Sequence, residues 1–391
     1  MDRNRVTDML FTAPELDPIE TRVLNQVDEL KASLRWQLAE PRRWVGSLRR
    51  VSLARAIQGS NSIEGYDAGL DDAVDVAAGE EPLDANDETR LALLGYRDAM
   101  TYVLQMAEDP EFQYSGQLLK SLHYMMTNYA LKNRPGRWRS GSIFVRNDET
   151  GEIVHEGADL DQVPALINEL VDHLNSPEQR PDIIRASMAH LNLVMIHPFR
   201  DGNGRMARCL QSLVLARAGT LSPVFMSIEE YLGRNTQTYY DVLAATGGGS
   251  WQPDRDTRLW IRFTLTAHLR QARTILQRIK ESERMWSELE SLVKGLRLPD
   301  RSVIALFDAM IGLRIRNATY RAYFEDTPDE ITDATASRDL QKLVQAGLLS
   351  PRGERRGRHY LASQPLVRIR EGVRRSRMPR NDTDPFDQTT R

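Results

Sequence analysis

One cysteine, Cys209, stands in 391 residues. It excludes an intrachain disulfide and fits a reducing, cytoplasmic setting. Its place in an apolar helical stretch marks it as core rather than reactive. The seven histidines are scattered, and none pairs at i, i+4 beside an acid as a zinc site requires. A dominant charge sign is missing too. The net charge of −3 gives no overall affinity for nucleic acid or anionic membrane. No apolar run approaches a membrane span, and MDRNRVTDML does not open a signal peptide. What remains is 41% hydrophobic and 27% charged, the profile of a globular protein with room for two or three domains.

Against this plain background stands Ile196 to Arg208, IHPFRDGNGRMAR. The residue before a proline is pushed out of the α region, so an apolar helix should end at His197. That puts an imidazole, a general-base candidate, at the mouth of a loop. Gly202 and Gly204 let the backbone turn tightly and present successive N–H groups, an anion-binding nest. A helix starting there adds its positive dipole end. Arg205 and Arg208, three apart, lean toward one polyphosphate. Asp201 beside the nest is a natural anchor for Mg²⁺.

This segment resembles the signature of Fic-domain proteins, HPFx(D/E)GNGRxxR, at every defined position. The resemblance implies a mostly α fold and AMPylation, the transfer of AMP from ATP to a Ser, Thr or Tyr hydroxyl of a protein. It implies that His197 deprotonates the hydroxyl and that Asp201 holds the metal. Asn203 and its flanking glycines would bind phosphate oxygens, Arg205 and Arg208 would clamp the β and γ phosphates, and Phe199 would be a buried wedge.

Upstream, Val45, Leu48, Val51 and Ala54 recur every three residues, and Gly65 suits the position past a helix end. Ser60 and Glu64 share one face. Ser60-x-x-x-Glu64-Gly65 resembles the inhibitory motif (S/T)xxxE(G/N) of the same family. The resemblance implies that Glu64 pairs with Arg208 and occupies the place of the γ-phosphate. The same carboxylate suits the reverse reaction, positioning water to remove AMP from a modified protein, so direction stays open.

Four regions are expected: an N-terminal helical region over 1–85 carrying the inhibitory helix, a Fic catalytic core over 86–290, a winged-helix module over 299–365, and a basic, disordered tail over 366–391. The acidic run DDAVDVAAGEEPLDANDE reads as a solvated connector. SIFVRNDETGEIVHEG reads as a β-hairpin turning at Asp148–Gly151. By resemblance, residues near 142–156 are a flap that holds the target protein by strand addition, against the plainer reading of a structural hairpin. Tyr239, Tyr240 and Trp260 are candidates to flank adenine. In the C-terminal module, residues 332–346 are the recognition-helix candidate, with Arg352, Arg355, Arg356 and Arg358 on the wing. The module fits DNA or protein contact, which leaves a nucleotide-sensing DNA-binding regulator as the rival reading. Self-modification and a homodimer also stay open.

Overall fold

The computed structural model describes residues 9–146, 150–177, 180–219, 225, 227–354, 357–377, 379 and 381–387. Asp148 of the expected hairpin turn and Arg355 and Arg356 of the expected wing lie outside the described residues.

The chain is mostly helical. It opens with α1 (Pro18–Ala39), α2 (Val45–Ser62), α3 (Leu70–Ala77), α4 (Asp87–Ala107) and α5 (Gly116–Thr127). A hairpin of β1 (Phe144–Arg146) and β2 (Ile153–Glu156) follows, then α6 (Val163–Asn175), α7 (Asp182–Ile196), α8 (Asn203–Arg217), α9 (Glu229–Arg234) and α10 (Thr236–Gly247). The long α11 (Arg258–Gly295) leads to α12 (Ser302–Ile311), α13 (Asn317–Ala322), α14 (Asp333–Gln345), the hairpin β3 (Leu349–Arg352) and β4 (His359–Ala362), and α15 (Gln364–Arg375).

Two apolar cores organise these elements. The first gathers Leu193, Ile196, Phe199, Met206 and Leu210 from α7, α8 and the loop between them. The second gathers Ile279, Leu289, Leu306, Phe307 and Leu340 from α11, α12 and α14. Four helices, α1, α2, α3 and α11, serve both, α1 through Val23 and Leu34 and α3 through Val76 and Val74. α2 gives Ile57 to the first core and Leu48, Val51 and Ala54 to the second. α11 gives Trp260 and Leu265 to the first and Ile275 to the second. The N-terminal segment is tied in by Asp17, which caps α1 in a box with Glu20. Both carboxylates also receive Arg258 and Arg262 of α11.

Two expectations change. Residues 364–375 are not a disordered tail but a helix, with Leu366 and Val373 buried in the second core. Its apolar residues recur at helical spacing among arginines, so overall polarity masks a narrow buried stripe. Nor is the acidic run a solvated connector. Asp72 and Asp75 are buried, and with Asp71 and Asp84 they surround Arg314.

Candidate active site

The site is built where α7 stops. His197 caps that helix in the left-handed region, φ 54° and ψ 57°, and its N–H donates to Leu193 O at 3.1 Å. A non-glycine residue held there stores strain, which the surroundings must impose. Arg139 does much of this. Its Nε donates to His197 O at 2.9 Å, a second nitrogen donates to Gly141 O at 2.8 Å, and a third to Ala158 O. The imidazole Nδ1 lies 3.1 Å from Val194 O and can only donate to it, which leaves Nε2 as the lone-pair nitrogen. Burial pushes the His197 pKa down to about 4, so the ring is neutral at pH 7.

The loop that follows is pinned from beneath. Phe199 is fully buried, stacked on His123 with ring centroids 3.7 Å apart, and Trp138 lies 4.8 Å away. His123 accepts from Gly136 N through Nδ1 at 2.9 Å and donates through Nε2 to Asp201 O at 2.8 Å. Burial holds its pKa at about 4, consistent with one neutral tautomer. Asn203 does not offer its amide to a ligand. Its Oδ1 accepts from Phe199 N and its Nδ2 donates to Phe199 O, both at 2.9 Å. This side chain is a latch across the loop, because a buried amide satisfies itself on the nearest backbone, and it leaves the Asn203 N–H at the start of α8.

Gly202 has φ +74° and caps α8; a Cβ there would lie 3.0 Å from Thr127 Cγ2. The first turn of α8, at Asn203, Gly204 and Arg205, carries N–H groups with no intrahelical acceptor. Asp201 sits beside it, accepting from Asn133 Nδ2 at 2.8 Å and from Gly202 N at 2.7 Å. Among the described residues no three His, Cys, Asp or Glu side chains cluster to hold a metal ion. A lone carboxylate beside a helix N-terminus would suit Mg²⁺, an ion bound through one or two carboxylates with other oxygens completing its shell.

Arg208 is buried in α8. Its Nε donates to Ser60 Oγ and a terminal nitrogen to Ser60 O, each at 2.9 Å. That same nitrogen lies 2.6 Å from Glu64 Oε1. Burial works against the charge, but the Glu64 carboxylate outweighs it and holds the Arg208 pKa above the ordinary guanidinium value. The other terminal nitrogen, Nη1, finds no acceptor among the described residues. Gly204 makes room for this pair, since a Cβ there would sit 2.3 Å from Glu64 Oε1. Arg205 donates to Tyr129 Oη at 3.0 Å and lies 5.0 Å from the centroid of the Tyr66 ring.

α2 reaches this position by close backbone contact with α9. A Cβ on Gly59 would lie 2.5 Å from Glu229 O, and one on Gly233 would lie 2.7 Å from Gly59 Cα. Behind them Glu229 is buried, accepting from Tyr96 Oη and Ser212 Oγ at 2.9 Å each, and burial raises its pKa.

The aromatic candidates separate. Tyr240 is 42% exposed beside the turn that carries Glu64, and its hydroxyl donates to Ile63 O at 2.9 Å. Tyr239 and Trp260 are buried and are corrected to core residues. Tyr239 Oη bonds His190 Nε2 at 2.9 Å, and Trp260 Nε1 donates to Ser187 O at 2.8 Å. The hairpin borders the same loop. β1 and β2 pair antiparallel with Phe144 opposite Glu156, and Phe144 and Ile153 point outward, exposed. His155 ties β2 to α7 through Met195 O at 2.9 Å.

His123, Asn133, Arg139, Tyr66 and Tyr129 carry no spacing signal in the sequence. Only their contacts with the loop distinguish them from ordinary helix and loop residues.

This arrangement, helices meeting at a glycine-turned loop behind a capping histidine, falls within a segment that matches a known family model. Residues 113–215 match the Fic/DOC family model. The chain is 26% identical over 273 residues to Protein adenylyltransferase Fic of Nematostella vectensis, covering 67% of this chain and 58% of that protein. It is 30% identical over 175 residues to Protein adenylyltransferase Fic of Aedes aegypti, covering 44% of this chain and 31% of that one. The chain thus spans less than two thirds of these curated relatives. In fold it is similar to a Fic family protein from Desulfovibrio desulfuricans G20, with a TM-score of 0.56 and 21% identity over 90% of this chain and 99% of the other. Fic-1 from C. elegans superposes with a TM-score of 0.54 and 21% identity, over 68% of this chain and 74% of that one. The chain carries a Fic domain.

Proposed function

We propose that the protein is an adenylyltransferase that moves AMP from ATP to a Ser, Thr or Tyr hydroxyl of a protein, and that Glu64 restrains it. The observation that carries this reading is the convergence on one loop of a neutral His197, with its Nε2 lone pair free of the Val194 contact, and the N-terminus of α8 with Arg205 and Arg208. His197 Nε2 takes the hydroxyl proton, the oxygen attacks the α-phosphorus, the bond to the β-phosphate oxygen breaks, and pyrophosphate leaves. The triphosphate charge beside the loop raises the basicity of the imidazole once ATP is bound. The α8 N–H groups, Arg205 and Arg208 hold the phosphates, with Tyr240 at the nucleoside end. Asp201 would hold Mg²⁺, which supplies charge neutralisation on the phosphates. The exposed hairpin edge near 142–156 would receive the target segment by strand addition, and the chain's own hydroxyls are a second acceptor class.

Glu64 occupies Arg208 in the free protein, so ATP must displace it before the γ-phosphate can sit there. Removal of AMP from a modified protein is the second reading, favoured by the fact that the Glu64 side chain is 22% exposed and so reachable by water. A time course with labelled ATP separates the two. Glu64→Gly is expected to raise protein labelling roughly ten- to a hundredfold, the equivalent of a charge-assisted pair worth ~1.5 to 3 kcal/mol. Unchanged labelling by that variant, together with loss of AMP release from a labelled target, would replace transfer by removal.

A further inference from the structure

The inhibitory glutamate is held in place from a distance. α2 and α3 pack on each other, and Gln58 Nε2 donates to Ala68 O at 2.8 Å across the turn that carries Glu64. That unit is fastened to the C-terminal module along α3 and the residues that follow it. Arg314, just after α12, has a side chain only 4% exposed. It reaches Asp72 and Asp75 at 2.9 Å and Asp71 and Asp84 at 2.6 Å. Arg316 adds Glu80 at 2.7 Å and Asp75 at 3.2 Å. On α2 itself Arg50 donates to Tyr323 Oη at 2.7 Å, and Tyr323 in turn donates to Asp308. Leu48, Val51 and Ala54 lie in the apolar core that this module completes.

The charge balance makes the fastening one-sided. Asp71, Asp72, Asp75, Glu80 and Asp84 bring five carboxylates to two guanidinium groups. Without Arg314 and Arg316 these carboxylates repel one another, and the segment 70–84 loses the contacts that fix it against α2. The last turn of α2 and the residues to Gly65 would then sample positions in which Glu64 leaves Arg208.

We propose that the C-terminal module is a second inhibitory element, which holds Glu64 on Arg208 by clamping the α2–α3 unit through Arg314 and Arg316. The proposal rests on the restraining role assigned to Glu64. It also states what relieves inhibition: any ligand of the module that draws Arg314 and Arg316 away from α3.

The test uses the full chain with Asp71→Asn plus Asp84→Asn, two carboxylates on the outer side of the cluster, and separately Arg314→Lys, which keeps the charge but loses the fork. Each is made with and without Glu64→Gly. Two quantities are read: amide exchange over residues 45–84 and labelling from ATP. Exchange is expected to quicken in that segment, and labelling to rise about three- to tenfold, the shift that a loss of roughly one kcal/mol of bias toward the paired state produces. On top of Glu64→Gly, the same changes should add nothing. Faster exchange with unchanged labelling would show a purely structural clamp and overturn the proposal. So would unchanged exchange, or a rise that persists in the Glu64→Gly background. If Glu64→Gly itself fails to raise labelling, the role of Glu64 falls first. Exchange at 45–65 in the clamp variants then still reports whether the module holds α2.

Discussion

Arg208 and Arg314 are both buried against carboxylates, and they are satisfied in opposite ways. Arg208 meets one carboxylate, Glu64, and two oxygens of Ser60, with one terminal nitrogen left without an acceptor among the described residues. Arg314 meets four carboxylates. A polyphosphate offers the first more oxygens than it has, and the second nothing it lacks. The number of acceptors around a buried cation, rather than its burial, decides whether its contact can be exchanged.

The hardest break in this comparison removes the chemistry that Arg208 is proposed to govern. His197→Ala should lower transfer by ~10² to 10⁴ while ATP binding persists, because general-base help is lost and the phosphate contacts are not. Calorimetry showing that ATP binding is lost as well would make the residue structural.

Stability tells the two arginines apart next. Arg314→Met removes a shared partner of four carboxylates, two of them buried, and should cost ~3 to 5 kcal/mol in chemical denaturation, the scale for breaking a buried ion pair from one side. Glu64→Gly leaves Arg208 its two Ser60 oxygens and should cost clearly less. Equal losses would abolish the distinction between an exchangeable contact and a fixed one.

Acid should loosen the loop before the clamp. Burial holds His123 at about 4 and His190 at about 3, below the ordinary 6.5. The unfolded chain therefore binds protons that the folded chain refuses. Stability from these groups is full above pH 6.5 and is lost as pH falls from there toward pH 4 for His123 and pH 3 for His190, at ~2 kcal/mol per histidine by pH 5. Amide exchange at pH 7.5 and pH 5 should show faster opening around residues 197–203 than around 70–77. The reverse order would place the weak point elsewhere.

The smallest effect sharpens the Arg208 side alone. Arg208→Ala made in Glu64→Gly should reduce labelling at least ~tenfold relative to the single variant, as expected for one lost charge-assisted phosphate contact. Equal labelling by the two proteins would mean that Arg208 has no part in holding ATP.

Much of the loop was legible in the sequence because its logic is local. A histidine before a proline, then glycines and two arginines three apart, define a helix end, a turn and a helix start within thirteen residues. The side-chain duty of Asn203 was not legible, since an amide can face ligand or backbone at the same position. Tyr239 and Trp260 could be placed near the nucleoside end but not sorted from core, because sequence gives no depth. The clamp was invisible for a different reason. Asp72 and Arg314 are separated by 242 positions, and an acidic run beside a turn looks the same whether water or a guanidinium satisfies it. α15 was missed because arginines outnumber the few apolar residues that it buries.

The contact of Gly59 with α9 has an engineering consequence. α2 is seated on another backbone with no intervening side chains, so its fit depends on the path of Glu229–Gly233 as much as on its own sequence. The helix proposed to inhibit is therefore not a portable cassette. Grafted onto a related domain without its α9 surface and the matching Gly233, it would arrive with Ser60 and Glu64 displaced, and the transplant would dock without silencing its host.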